Sequence, residues 1–144
     1  MPQSGIFNYP SIDRIVFGEP FIKAVQTEAN RLAVERIFVL TSGTLARETK
    51  CVEELCSAMA GQVIGVYDRL RPHVQRDDVI EATAEARAEK ADLILTIGGG
   101  TPTDAAKMVS FCLANDVTKY EDLGPLRWIS NPDGTSVQPP SNPP

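Results

Sequence analysis

Apolar residues along this chain alternate between short continuous runs and stretches with helical spacing. The continuous runs at residues 37–41, 63–67 and 93–97 predict buried strands. After each run, apolar positions recur every three or four residues, which is typical of helices that cover one face of a sheet. Three such strand–loop–helix passes predict an α/β fold, a Rossmann-like three-layer domain with a mostly parallel sheet.

The helical spacing predicts four helices. One begins near Pro20, and a second follows Thr44 and stops at Gly61. A third follows Asp77 and Asp78 and runs to Lys90, because carboxylates favour a helix N-terminus. A fourth occupies residues 102–114. Before the first helix, residues 6–9 and 15–18 predict two short extended pieces on either side of Pro10-Ser11.

The composition of the chain changes at Ser130. From there to Pro144 the chain holds five of its prolines, and its only aliphatic side chain is Val137. Such a segment buries too little apolar surface to order itself. We therefore expect an α/β domain at residues 1–129 and a Pro-rich linker or truncated tail at residues 130–144, and hence a fragment of a longer protein or the product of a truncated gene model.

Composition and charge exclude several partners and sites. Among 144 residues, 14 are basic and 19 are acidic, and no Lys/Arg cluster occurs, so a nucleic-acid or membrane-surface partner is not expected. No apolar run approaches a membrane span, and the N-terminus lacks a signal peptide, so we expect a cytoplasmic protein. Cys51, Cys56 and Cys112 lack the spacing of a metal site or a disulfide framework. His73 is the only histidine, so no metal site of several histidines fits in this chain.

The segment Gly98-Gly99-Gly100-Thr101-Pro102-Thr103-Asp104 carries the strongest chemical signal. Three glycines after a buried strand let a ligand approach the backbone closely. Thr101 is expected to be the N-cap of the fourth helix and Pro102 its first residue, with Asp104 completing a capping box. The free N–H groups and the helix dipole would then face the carboxyl end of the strand. This arrangement predicts an anion site suited to a diphosphate.

Two better-known phosphate loops do not match this segment. The dinucleotide fingerprint G-x-G-x-x-G requires a glycine at Thr103. The P-loop requires Lys directly after Gly, whereas Lys107 follows Ala106. A generic glycine-rich turn at a helix start accounts for the same residues, and we keep it as the alternative.

The sequence GGGTPTDAAK resembles the GGGS-x-x-D-x-AK motif of the iron-dependent (group III) alcohol dehydrogenase family, with Thr101 where the family usually has Ser. The early Ile15-Val16-Phe17-Gly18, the strand ending in Thr41, the Asp68 loop and the Pro-rich exit fit the same order. The resemblance spans about residues 7–127 and covers only the cofactor-binding half of such an enzyme.

The resemblance implies that residues 1–129 are a dinucleotide-binding α/β domain, with an NAD or NADP site at the carboxyl ends of the strands. Relatives commonly have an Asp after the first strand that meets the adenosine ribose, and this chain has Ser42 and Gly43 instead. A carboxylate repels a 2′-phosphate, so its absence leaves NADP open. A polar strand-to-helix turn, capped by Ser42 or Thr44, also explains this segment. The expected cofactor-binding residues are Thr41, Ser42, Gly43, Gly98, Gly99, Gly100, Thr101 and Asp104.

Two further residues have competing roles. Asp104 could cap its helix, pair with Lys107, or line the substrate cleft as in some relatives, and capping is the role we expect. His73 lies on a strand-exit loop at the same end of the sheet as the glycines, which makes it a catalytic candidate near a nicotinamide or simply an exposed loop histidine. A histidine at this place also resembles the maleylacetate reductase branch of the family, and the branch stays open.

The resemblance places the family's metal site, for Fe or Zn, on a second, helical domain that this sequence does not contain. We therefore expect the NAD(P)-binding half of a metal-dependent oxidoreductase that transfers hydride between a nicotinamide cofactor and an alcohol/aldehyde or an oxo acid, inactive alone. The alternatives are a non-catalytic nucleotide- or phosphate-binding α/β module and, less favoured, a phosphotransferase. The expected partner is a small-molecule substrate. A homodimer stays open, because the apolar surface where the second domain would pack can mimic a dimer interface.

Overall fold

A computed structural model describes residues 12–127, 129–137 and 141–142. The expected extended piece at residues 6–9 lies outside them. The elements in chain order are α1 (Phe21–Leu32), β1 (Ile37–Ser42), α2 (Gly43–Glu48), α3 (Cys51–Ala58), β2 (Val63–Leu70), α4 (Arg76–Ala88), β3 (Leu93–Ile97), α5 (Gly100–Ala114), a 3₁₀ helix (Tyr120–Leu126), β4 (Ile129–Ser130) and β5 (Ser136–Val137).

The first three strands form one parallel sheet in the order β2-β1-β3. Phe38 of β1 pairs with Ile94 of β3, and Val39 pairs with Val66 of β2. β1 lies in the middle and is buried on both faces, which explains why its apolar residues form a continuous run instead of alternating with polar ones. The predicted α/β fold with a parallel sheet is confirmed.

Side chains of β1 alternate between two apolar cores. Phe38 and Leu40 pack on the side of α4 and α5, whose buried residues include Ala82 and Val109. Ile37 and Val39 pack on the other side, with Ala29 of α1, Leu55 of α3 and Met59. Helices therefore cover both faces of the sheet, as in the expected three layers.

The prediction of one continuous helix between Thr44 and Gly61 is wrong, because the structure has two helices there, α2 and α3. Helix α2 ends at Glu48, and the backbone of its C-cap residue Thr49 is extended (φ −131°, ψ 162°). The Thr49 hydroxyl donates to the Leu45 carbonyl at 2.7 Å and lies 3.4 Å from the amide nitrogen of Cys51, which donates to it. These bonds compete with the helical backbone pattern and break the helix.

Strand β2 is longer than the expected 63–67. It continues through Asp68 and Arg69 to Leu70, because Ser42 at the end of β1 pairs with Leu70. Backbone pairing thus carries polar residues into the sheet. The loop after β2 is correspondingly shorter and begins at Arg71.

The chain after the 3₁₀ helix forms a small antiparallel hairpin of β4 and β5, in which Ile129 pairs with Val137. All four strand residues are exposed. The hairpin lies across the expected domain boundary at residues 129/130, and the boundary itself stays a prediction. Over the described part of the chain, no helix is long and apolar enough to cross a bilayer.

Candidate functional site at the ends of the parallel strands

The strand order places a crevice between β1 and β3. The chain leaves β1 toward α3, on the face covered by α1, and leaves β3 toward α5, on the opposite face. Two neighbouring parallel strands whose connections diverge in this way leave a crevice at their carboxyl ends. Ligands of open α/β sheets bind in such a crevice, so the fold itself selects this edge as the candidate site.

Thr41 joins the two loops that border the crevice. It pairs with Ile97 across the sheet, and its hydroxyl donates to the Ile97 carbonyl at 2.9 Å. Its side chain is fully buried and holds the two loops together, and its expected contact with a cofactor stays a prediction. The segment that begins with Ser42 and the segment that begins with Gly98 therefore lie next to each other, as the sequence predicts.

The three consecutive positions 98–100 are occupied by glycine for different structural reasons. Gly98 has a φ of +138°, and a Cβ there would lie 3.1 Å from Cγ of Pro102. A Cβ on Gly99 or Gly100 would meet no atom within 4 Å, and neither residue has a positive φ of this kind. Gly98 is required by its positive φ, and the backbone of Gly99 (φ −94°, ψ −144°) also lies outside the regions that other residues favour, whereas Gly100 has no conformational reason to be glycine. Gly99 and Gly100 are exposed and leave open space at the start of α5.

The expected capping roles of Thr101 and Asp104 are wrong. Helix α5 begins at Gly100 with Gly99 as its N-cap, and no side chain caps it. Glycine accepts the N-cap backbone (φ −94°, ψ −144°), so the helix starts two residues earlier than Pro102. Asp104 pairs instead with Lys107, whose ammonium donates to its carboxylate at 2.8 Å. The first amides of α5 are thus left without a side-chain acceptor.

A cleft of about 370 Å³ lies where β1, β2 and α5 converge. It brings together three of the expected cofactor residues, namely Ser42, Gly43 and Thr101, and Gly98–Gly100 immediately precede the last of these. Ser42 also caps α2, because its hydroxyl accepts from the Leu45 amide at 3.3 Å. Ser42 therefore caps the turn, as the alternative interpretation expects, and also lines the cleft.

The wall of the cleft on the β2 side is held by an ion pair. Asp78, almost fully buried in the first turn of α4, accepts from the Arg71 backbone amide at 2.8 Å and from its guanidinium at 2.6 Å. Burial of the carboxyl opposes its ionisation, but the bonds from Arg71 outweigh this and lower the pKa of Asp78. The pair fixes the loop after β2 against α4.

Arg47 is a cleft residue that the sequence analysis did not single out. It lies on α2 one turn after Gly43, and its guanidinium folds back over that glycine, so that a Cβ on Gly43 would lie 2.6 Å from Nη1. The signal was present in the sequence, since residues four apart on a helix share one face. The missing side chain at Gly43 is the space that the guanidinium occupies.

His73 follows β2 in a tight turn, in which both His73 (φ 65°) and Val74 (φ 49°) have left-handed backbones. His73 and Asp104 line a second cavity of about 430 Å³, together with Met108 and Leu123. The expected location of His73, at the glycine end of the sheet, agrees with this shared cavity. Its role near a nicotinamide stays a prediction.

The described residues contain no group of three or more His, Cys, Asp or Glu side chains arranged to hold a metal ion. Cys51 and Cys56 are half-buried, and Cys112 is buried, each as a free thiol. This part of the chain therefore offers no donor set that fits a transition metal. Chemistry that depends on a metal would require residues outside it.

Sequence comparison identifies the family. The model of the iron-containing alcohol dehydrogenase family matches residues 12–140, which is most of the chain. The chain belongs to the iron-containing alcohol dehydrogenase family. It is 32% identical over 135 residues to the dehydrogenase FUM7 of Gibberella moniliformis (strain M3125 / FGSC 7600), an alignment that covers 90% of this chain and 32% of that protein.

Solved structures agree with the family assignment. A maleylacetate reductase from Rhizobium sp. strain MTP-10005 is similar with a TM-score of 0.64 at 25% identity, covering 94% of this chain and 40% of that one. A 1,3-propanediol oxidoreductase is similar in fold, with a TM-score of 0.70 at 24% identity, covering 81% of this chain and 31% of that one. The chain thus spans about a third of the length of such relatives, and it corresponds to the α/β portion of an iron-containing alcohol dehydrogenase.

Proposed function

We propose that this chain is the NAD(P)-binding part of a metal-dependent oxidoreductase, which transfers hydride between a nicotinamide cofactor and an alcohol/aldehyde or an oxo acid. Membership of the family supports the general class, and relatives named dehydrogenases and maleylacetate reductases support both kinds of substrate. The cofactor and the substrate are part of this proposal.

One observation carries the cofactor assignment. Gly100 is helical and has no conformational reason to be glycine, and a Cβ on Gly99 or Gly100 would project into open space beside the crevice. A ligand that approaches the backbone closely supplies the missing reason. The uncapped amides of α5 and the positive end of its dipole favour an anion in that space, as a pyrophosphate would provide.

The remaining cleft residues fit the rest of a dinucleotide. Ser42 and Gly43 border the cleft beside the glycine segment, where the adenosine ribose would lie. The cavity lined by His73 and Asp104 also borders the first turn of α5, and we assign the nicotinamide to it. The exposed Asp104 carboxylate is paired with Lys107, which reduces its repulsion of a nearby diphosphate.

When bound, the cofactor supplies hydride transfer at C4 of its nicotinamide ring. This chain binds the pyrophosphate through backbone amides and orients the ring toward the cavity beside His73. The described residues hold no group of three or more His, Cys, Asp or Glu side chains arranged to bind a metal ion. We therefore propose that residues 1–129 act as the cofactor platform and that substrate activation belongs to a further part of the protein.

The test is calorimetric titration of the purified chain with NADH, NADPH and ATP. Weak binding of a reduced dinucleotide is expected, because only part of the enzyme cleft is present. ATP shares a polyphosphate and an adenosine with these cofactors but lacks the nicotinamide half. Equal affinity for ATP would favour the non-catalytic nucleotide-binding module, and absence of dinucleotide binding at millimolar concentration to folded chain would refute the proposal.

A further inference from the structure

The α2 wall of the cleft, formed by Ser42, Gly43, Thr44 and Arg47, presents hydrogen-bond donors and a cation, and none of these four residues is acidic. Ser42 uses a lone pair to accept from the Leu45 amide, which leaves its O–H free to donate. Thr44 adds a second hydroxyl, and Arg47 adds a guanidinium that lies over Gly43. Two hydroxyl donors and a guanidinium form the type of surface that binds a phosphate group.

Charges around the cleft single out Arg47. Three arginines line it, and two of them are already neutralised, since Arg71 pairs with Asp78 at 2.6 Å and Arg69 pairs with Glu81 at 3.0 Å and also with Glu85. Among the described residues, no carboxylate lies within ion-pair distance of the Arg47 guanidinium.

Asp68 is the one acidic residue of the cleft lining, and it lies on β2, whereas Arg47 and Gly43 lie on α2. The positive charge of Arg47 is therefore left uncompensated beside the hydroxyls of Ser42 and Thr44.

We propose that Arg47 binds the 2′-phosphate of NADP, and that this chain selects NADP(H) over NAD(H). The inference rests on the proposed function, because it places the adenosine ribose of the cofactor between Ser42 and the glycine segment. A ribose with free 2′- and 3′-hydroxyls is best held by a carboxylate, which accepts both hydrogen bonds and repels a 2′-phosphate. The α2 wall has the opposite chemistry. Gly43 contributes by leaving room for the guanidinium to face the cleft.

The experiment compares NADPH with NADH, and adenosine 2′,5′-bisphosphate with AMP, by calorimetry on the folded chain. The second pair isolates the 2′-phosphate from the nicotinamide half. Charge-assisted hydrogen bonds from a guanidinium correspond to about tenfold or more in affinity. We expect NADPH and the bisphosphate to bind about tenfold more tightly than NADH and AMP, and we expect the difference to shrink as salt concentration rises.

Substitutions identify the residue responsible. Arg47→Gln should abolish the preference while leaving NADH affinity within about twofold, and Arg47→Lys should retain part of it because the charge is kept. Gly43→Ala should weaken NADPH binding, because its Cβ displaces the guanidinium. Arg36→Gln is the matched control, since it removes the same charge at the opposite end of β1 and should leave the preference intact.

The outcomes separate the two proposals. Equal binding of NADPH and NADH, or tighter binding of NADH, would overturn the role of Arg47 and leave the NAD(P) assignment standing. A preference for NADPH that survives Arg47→Gln in a folded chain would also overturn it. Failure of both dinucleotides to bind would overturn both proposals together.

Discussion

Gly100→Ala is expected to change stability and affinity in opposite directions. Gly100 is the first residue of α5, and a Cβ there would meet no atom within 4 Å. Alanine in place of glycine lowers the conformational entropy of the unfolded chain and favours the helix. If the residue only turned the chain, alanine would therefore be the better choice on stability grounds.

The expected gain in stability is about 0.5 kcal/mol, toward the lower end for such replacements because the site is exposed and in the first helical turn. In a domain of this size, that corresponds to a rise in melting temperature of about 1–2 °C. A pyrophosphate lying on the backbone would meet the added methyl group. We expect affinity for NADPH and NADH to fall about tenfold or more, as for other overpacked contacts.

The assay measures thermal unfolding by circular dichroism and cofactor affinity by calorimetry on the same preparations. Gly98→Ala is the matched control, because its φ of +138° and the 3.1 Å approach to Pro102 make alanine strained there. That variant should lose about 1–3 kcal/mol of stability. An unchanged affinity in a folded Gly100→Ala chain would refute the assignment of this segment as the pyrophosphate site.

Three further predictions concern the scaffold of the site. Asp78→Asn should destabilise the chain by about 1.5–3 kcal/mol at neutral pH through loss of the charged bonds from Arg71. Because the folded-state pKa of Asp78 is lowered, this difference should be constant above about pH 4 and vanish as pH falls through that pKa, which urea unfolding at several pH values would show. The Cys112 thiol, whose pKa burial raises, should react with a disulfide reagent only as the chain unfolds, and rapid labelling of native chain would contradict its packing. Gly65→Ala should lower the melting temperature, because its Cβ would lie 2.7 Å from the Phe38 ring, and an unchanged melting temperature would contradict that contact.

The sheet was predictable because burial on both faces produces continuous apolar runs. β1 and β3 were located to within one residue, since each run ends where the polar or glycine residues of the crevice begin. The errors occur where backbone hydrogen bonding overrides composition. Asp68 and Arg69 are polar, yet pairing with β1 keeps them in β2.

The location of the site was predictable from the sequence, whereas the roles of individual residues were less so. The two loops at the ends of β1 and β3 were expected to meet, and the bond between Thr41 and Ile97 joins them. The prediction that Asp104 caps α5 was wrong, because the glycine at position 99 lets the helix start at Gly100. The sequence pattern alone does not distinguish this start from one at Pro102. Arg47 was missed because its position depends on the space left by Gly43, which only the packing reveals.

The central claim is that the amides of Gly98–Thr101 hold the pyrophosphate of a nicotinamide dinucleotide. The most direct measurement is an amide NMR titration of isotopically labelled chain with NADPH and NADH. The account predicts that the amide signals of Gly99, Gly100 and Thr101 shift most, with smaller shifts at Ser42 and Gly43, while those of α1 stay in place. Shifts confined to other parts of the chain, or no shifts at millimolar cofactor, would contradict it.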